Sequence, residues 1–114
     1  MNLEKKENRV SVEVFDILFK VHRKLGPGLL ESVYEKIICY ELAKARIPYK
    51  RQMPIPVFYE EIKMDFGFRA DIVIENCVLL ELKSIEKINA VHYKTLQTYL
   101  KLADIKLGIL INLM

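Results

Sequence analysis

Cysteine is scarce in this 114-residue sequence. Cys39 and Cys77 stand far apart without CxxC spacing, so neither a disulfide framework nor a thiolate zinc site is signalled, and two reduced thiols are expected. Long apolar runs are missing as well. The longest candidate, residues 107–114, is broken by Gly108 and Asn112 and falls short of the roughly 18 to 20 apolar residues needed to cross a bilayer. The first nine residues are dominated by charge and contain no apolar segment of a secretory signal; a cytoplasmic location is therefore expected. No internal repeat, low-complexity tract or Ser/Gly-rich linker interrupts the chain. Excess charge of one sign is also lacking. With 18 Lys+Arg against 15 Asp+Glu the formal charge is +3, too low for a polycationic tail, so composition does not announce nucleic acid. What is present, 52% hydrophobic and 29% charged residues, excludes disorder and describes one globular domain, residues 1–114, long enough to bury a core without staples.

Val10, Val14, Ile17, Val21 and Leu25 recur at steps of four and three. This spacing predicts an amphipathic helix over residues 9–25, with Asn8 or Ser11 as its N-cap. Gly26-Pro27-Gly28 ends it in a stiff turn, because glycine permits positive φ and proline removes a helical donor. Leu30, Val33, Tyr34, Ile37, Ile38, Leu42 and Ala45 mark a second helix, closed at Ile47-Pro48, so the chain opens with an αα-hairpin. From Tyr49 the period becomes two: Met53, Ile55 and Val57 share a parity, and Pro54 and Pro56 imply an edge strand. Residues 58–59 and 62–64 flank a turn at Glu60-Glu61, and residues 66–74 and 78–83 read as two strong strands, the second of them central. Residues 88–103 return to helical spacing with Val91, Leu96, Tyr99 and Ala103 as the buried face, and residues 107–112 read as a final strand. The order is an α/β fold: an αα-hairpin, a three- or four-strand meander, a crossover helix, and a last strand parallel to its neighbour.

The chemistry sits in the hairpin of residues 69–83. Pairing Ile72 with Leu80, Ile74 with Val78 and Ala70 with Leu82 makes one face wholly apolar. The same register opposes Asp71 to Glu81 with Lys83 two residues along, and a slip by one residue would mix both faces, which burial disfavours. Opposed Cβ atoms lie about 4.5 to 5.5 Å apart, so two carboxylates there repel unless neutralised. A solvated face with a cross-strand ion pair is one reading of Asp71, Glu81 and Lys83. The other is a Mg²⁺ site completed by water and a phosphate oxygen, with Lys83 orienting water or steadying phosphate charge; the reaction suggested is metal-assisted phosphodiester hydrolysis.

The run Gly28-Leu29-Leu30-Glu31-Ser32-Val33-Tyr34, with Val21-His22-Arg23-Lys24-Leu25-Gly26-Pro27 before it, resembles the small GxxExxY proteins of the PD-(D/E)XK nuclease-like superfamily. Gly67-Phe68-Arg69-Ala70-Asp71 and Leu80-Glu81-Leu82-Lys83-Ser84 match the same pattern, so the likeness spans nearly the whole chain. The resemblance implies an αβββαβ core with Asp71 and Glu81 as metal ligands, Lys83 as the catalytic lysine, and Glu31 as a third carboxylate, direct or through water. It also implies Mg²⁺ or Mn²⁺ as cofactor, a DNA or RNA substrate, and supporting or substrate contacts from Tyr34, Arg69 and Tyr99. Taken by themselves, Glu31 and Tyr34 lie on one helical face, and Glu31 equally suits a first-turn position that favours the helix dipole. The sequence departs from the pattern on the last helix, where Thr95 stands four residues before Tyr99 in place of a frequent glutamine and Gln97 is offset. The chain also stops at Met114, where family members commonly continue.

Other candidates are weaker. His22 and His92 sit on separate helices without ligand spacing. The six Tyr and five Phe fall at core-like spacings rather than announcing a base-stacking platform. Arg23-Lys24, Lys44, Arg46 and Lys50-Arg51 suit a phosphate backbone or solvated helix ends. Gly26-Pro27-Gly28 lacks the Lys-Ser/Thr and preceding strand of a phosphate loop. Two functions follow: a divalent-metal-dependent nuclease, or a nuclease-fold module that no longer cuts and binds nucleic acid or a protein partner, including a second copy of itself.

Overall fold

The helical stripe of the N-terminal segment forms α1 (Lys6–Leu25), which buries Val10, Val14, Ile17, Leu18 and Val21. The computed structural model describes residues 2–114. The helix begins earlier than the apolar spacing predicts, at a Lys5 cap without a side-chain bond, so neither Asn8 nor Ser11 is the N-cap. The reason is local: Asn8 Nδ2 donates to Asn2 O at 2.6 Å and Arg9 Nη1 donates to Glu4 O at 2.7 Å, fastening the preceding turn to the first helical turn. Gly26 and Gly28 adopt φ of 71° and 95°, and α2 (Glu31–Lys44) follows, burying Tyr34, Ile38, Cys39 and Leu42. Leu30 and Val33, expected in that stripe, are exposed.

The extended part divides into two sheets. β1 (Tyr49–Pro54), β4 (Arg69–Ile74), β5 (Val78–Lys83) and β6 (Leu107–Asn112) form a mixed sheet in the order β1-β4-β5-β6. β2 (Val57–Tyr59) and β3 (Ile62–Met64) form a separate two-stranded ribbon around the Glu60-Glu61 turn. The continuous meander expected from the sequence is thus interrupted. β1 is an edge strand, as Pro54 requires, and β5 is central. β4 starts at Arg69 rather than Phe66, because Asp65 Oδ1 accepts the Gly67 N–H at 2.8 Å and Gly67 takes φ of 79°, which makes residues 65–68 a turn.

α3 (Ala90–Ala103) crosses between β5 and β6, which run parallel. Asn89 Oδ1 accepts the Val91 N–H and His92 Nδ1 accepts the Asn89 N–H, so His92 serves the helix cap. Leu96 is buried as expected, whereas Val91 is exposed, one turn too early to reach the sheet. A Cβ at Gly108 would lie 2.9 Å from Leu96 Cδ1, so glycine lets α3 sit close on β6.

The result is a three-layer α/β fold with two cores. One holds α1 and α2 against Ile72, Ile74, Val78, Leu80 and Leu82; the other holds α3 residues, Val73, Leu79 and Ile55 on the opposite face. Ala70 shares the parity of Ile72 but packs in the second core, because the strands part company near it.

Candidate active site

The β4 and β5 strands pair at Ile74 with Val78, Val73 with Leu79 and Ile72 with Leu80, the register that burial selects. Beyond Ile72 the backbone donors turn to side chains. The Leu82 N–H donates to Asp71 Oδ2 at 2.8 Å and the Asp71 N–H donates to Glu81 Oε1 at 3.2 Å. Each strand's backbone is therefore clasped by the other strand's carboxylate, and the hairpin opens around two adjacent acids.

Burial makes this arrangement expensive in charge. Glu81 is only 8% exposed, and burial, followed by the neighbouring Asp71 charge, pushes its carboxyl up to about 7. Asp71 is also raised, first by burial and further by Glu35, while the Leu82 N–H and Lys83 oppose the shift. Lys83 follows on the same strand, and Ser84 Oγ donates to Leu29 O at 2.8 Å, tying the end of β5 to the turn before α2.

That tie brings the α2 N-terminus to the carboxylates. A cleft of about 120 Å³ is lined by Glu31, Ser32, Glu35, Gln52, Asp71 and Leu82. Glu35 and Gln52 were not singled out by sequence. Glu35 is buried, with Arg51 Nε at 2.6 Å from Oε2 and Gln52 Nε2 donating to Oε1 at 2.6 Å. Gln52 Nε2 also reaches Asp71 Oδ1 at 3.5 Å, and its φ of 51° is unusual for a non-glycine residue inside a strand. A signal existed: Glu35 lies four residues after Glu31 and three before Ile38, an acid set into the apolar stripe of α2. Arg51, expected either along a phosphate backbone or as a solvated basic residue, is engaged with Glu35.

The remaining candidates fall into distinct places. Tyr34 is fully buried, and its hydroxyl donates to Gly26 O and accepts the Leu29 N–H at 3.3 Å. It supports the turn before α2 from inside the core. Arg69 Nη1 donates to Phe68 O at 2.9 Å and approaches Asp65 Oδ1 at 3.4 Å. Tyr99 lies on the α3 side, where burial and then the Glu81 and Asp71 charges raise its phenol above the ordinary value. Thr95 and Gln97 are exposed on α3. His22 Nε2 is buried without a hydrogen-bond partner among the described residues, away from this cluster's hydrogen bonds.

Among the described residues, no group of three or more His, Cys, Asp or Glu stands close enough to hold one metal ion. Asp71 and Glu81 adjoin, and Glu31 lines the cleft without joining them as a compact triad. Two hard oxygen donors with no soft ligand beside them still fit a cation such as Mg²⁺, which retains several waters and takes one or two carboxylates plus phosphate oxygens. The elevated proton affinity of Glu81 expresses the same need for positive charge at this point.

A family model described as the PD-(D/E)XK nuclease superfamily matches residues 8–114. Searches of curated proteins and of solved structures yield no match.

Proposed function

The chain belongs to the PD-(D/E)XK nuclease superfamily, and from that premise we propose that it is a divalent-metal-dependent phosphodiester hydrolase acting on DNA or RNA, a single catalytic domain of the cytoplasm. The observation that carries the reading is the clasped carboxylate pair at the open end of β4 and β5, with Lys83 next to it. Its narrower kinship with the GxxExxY proteins rests on Gly28, Glu31 and Tyr34. No helix among the described residues is long and apolar enough to cross a membrane.

Asp71 and Glu81 would hold the cation, Mg²⁺ or Mn²⁺. The bound cation supplies Lewis-acid activation of water and of the phosphorus centre. Lys83 orients the attacking water or steadies negative charge as it develops on the phosphate. Glu31, which lines the same cleft, would support the site directly or through water, and Gln52, bonded to Glu35, reaches the Asp71 carboxylate. Tyr34 holds the turn before α2 in place, and Arg69 and Tyr99 are the further residues that would contact substrate.

The test is cleavage of single- and double-stranded DNA and RNA with Mg²⁺ and Mn²⁺, alongside calorimetric titration of each metal. Cleavage that disappears in Lys83→Ala and Asp71→Asn supports the hydrolase. Metal binding without cleavage of any substrate would transfer the protein to the other reading, a nuclease-fold module that binds nucleic acid or a protein partner.

A further inference from the structure

Sequence spacing assigns Phe66 and Phe68 to a strand, where alternate rings enter a core. The structure instead puts them on the turn before β4, and Phe66 is 59% and Phe68 36% exposed. Their ring centroids are 6.0 Å apart, and Phe68 stands 5.9 Å from Tyr99, with interplanar angles of 34° and 36°. Three rings thus form a row that leads from solvent to Tyr99, which packs against the core cluster containing Ala70, the residue before Asp71, and Leu79, two before Glu81.

The row is held in place by its backbone. Asp65 Oδ1 accepts the Gly67 N–H, Arg69 Nη1 donates to Phe68 O, and Phe68 O also accepts the Ile55 N–H at 2.9 Å. Phe66 therefore stays largely in water on this support, Phe68 is partly covered, and Tyr99 at the inner end packs against the second core. In the preceding ribbon Phe58 and Tyr59 are exposed as well. Exposed aromatic rings in mutual contact, as Phe66 and Phe68 are, mark a binding face.

Resting on the hydrolase reading of the carboxylate pair, we propose that Phe66, Phe68 and Tyr99 are a stacking platform for the bases of a single-stranded nucleic acid whose backbone enters the site at Asp71 and Glu81. In a duplex the base faces are covered by their neighbours, and only unpaired bases offer a π-face to an aromatic side chain. Arg69 is anchored beside the rings by one nitrogen, Nη1, to Phe68 O and Asp65 Oδ1, and its other guanidinium donors are of the chemistry that phosphate oxygens recognise. Stacking is indifferent to base identity and to sugar, so the ligand is single-stranded DNA or RNA without sequence preference.

Fluorescence anisotropy of the full chain in EDTA, with labelled oligo-dT, oligo-U and a blunt duplex of equal length, tests the platform without cleavage. Single strands are expected to bind more tightly than the duplex, and the dT and U arms separate DNA from RNA. Phe66→Ala is expected to weaken single-strand binding about 10-fold, leaving duplex binding and the melting temperature unchanged, while Phe66→Trp restores affinity. Equal affinity for duplex and single strand, unchanged affinity in Phe66→Ala, or no binding of any nucleic acid would each overturn the proposal. So would self-association by light scattering that Phe66→Ala abolishes, since the face would then belong to a second copy. Single-strand binding in a protein that cuts nothing with Mg²⁺ or Mn²⁺ removes the hydrolase reading and leaves the platform standing; duplex cleavage without single-strand preference does the reverse.

Discussion

The two ends of the β4–β5 hairpin are made by the same two strands and handle their backbone in opposite ways. Toward the turn, Ile72, Ile74, Val78 and Leu80 are completely buried and the strands pair rung by rung. Toward the open end, the Asp71 and Leu82 donors are taken by carboxylates, and a buried acid holds its proton to about pH 7. Apolar burial at the first end stabilises the hairpin, and that stability lets the second end keep two acids side by side where neither prefers its charge. The comparison teaches that the site is tensioned by its scaffold: the ladder that closes the core ends at Ile72 and Leu80, and just past it the expected rung between Asp71 and Glu81 is replaced by carboxylate bonds to the opposite backbone.

The largest expected effect is at the closed end. Leu80→Ala should cost about 2–5 kcal/mol of stability in urea unfolding, and a loss below 1 kcal/mol would show that this end does not carry the hairpin. At the open end, Lys83→Ala should lower oligonucleotide cleavage at least about 100-fold with an unchanged melting temperature, separating chemistry from stability. Glu81→Gln should do the opposite to stability. The folded protein keeps the Glu81 proton up to about pH 7, while an unfolded chain releases it near the ordinary 4.5. Stability of the metal-free protein therefore falls as pH rises from about 4.5 to about 7, and Asp71, also raised, adds in the same direction. The glutamine variant escapes that fall and should exceed the native chain by on the order of 2 kcal/mol at pH 8 in EDTA, with little difference at pH 4. Parallel melting profiles across pH would refute this account of the open end. The smallest effect is expected at Gln52→Gly, which keeps the left-handed φ at low cost but removes the link between Glu35 and Asp71. Calorimetry should find Mn²⁺ binding about 10-fold weaker, and unchanged binding would leave the link without a role.

Much of this was legible along the chain because it is local. The β4–β5 register could be read from Ile72, Ile74, Val78 and Leu80, since a one-residue slip exposes every one of them. Helix positions followed from steps of three and four, and Pro54 marked the edge strand. Misreadings arose where a side chain competes with the regular pattern: the α1 start, tied down by Asn8 and Arg9, and residues 65–68, where Asp65 caps the Gly67 N–H and converts an apparent strand into a turn.

Alternation along the chain thus places Asp71, Glu81 and Lys83 on one short stretch of sheet, because that periodicity depends only on neighbours in the chain. The Glu35, Arg51 and Gln52 link and the Phe66, Phe68 and Tyr99 row could not be placed that way. Their members lie on α2 and β1, or on a turn and α3, and what joins them is the packing of helices on two faces of a sheet. Whether a ring is core or surface, and whether an arginine meets phosphate or a buried glutamate, depends on which distant segment arrives beside it, and that is settled only when the layers close.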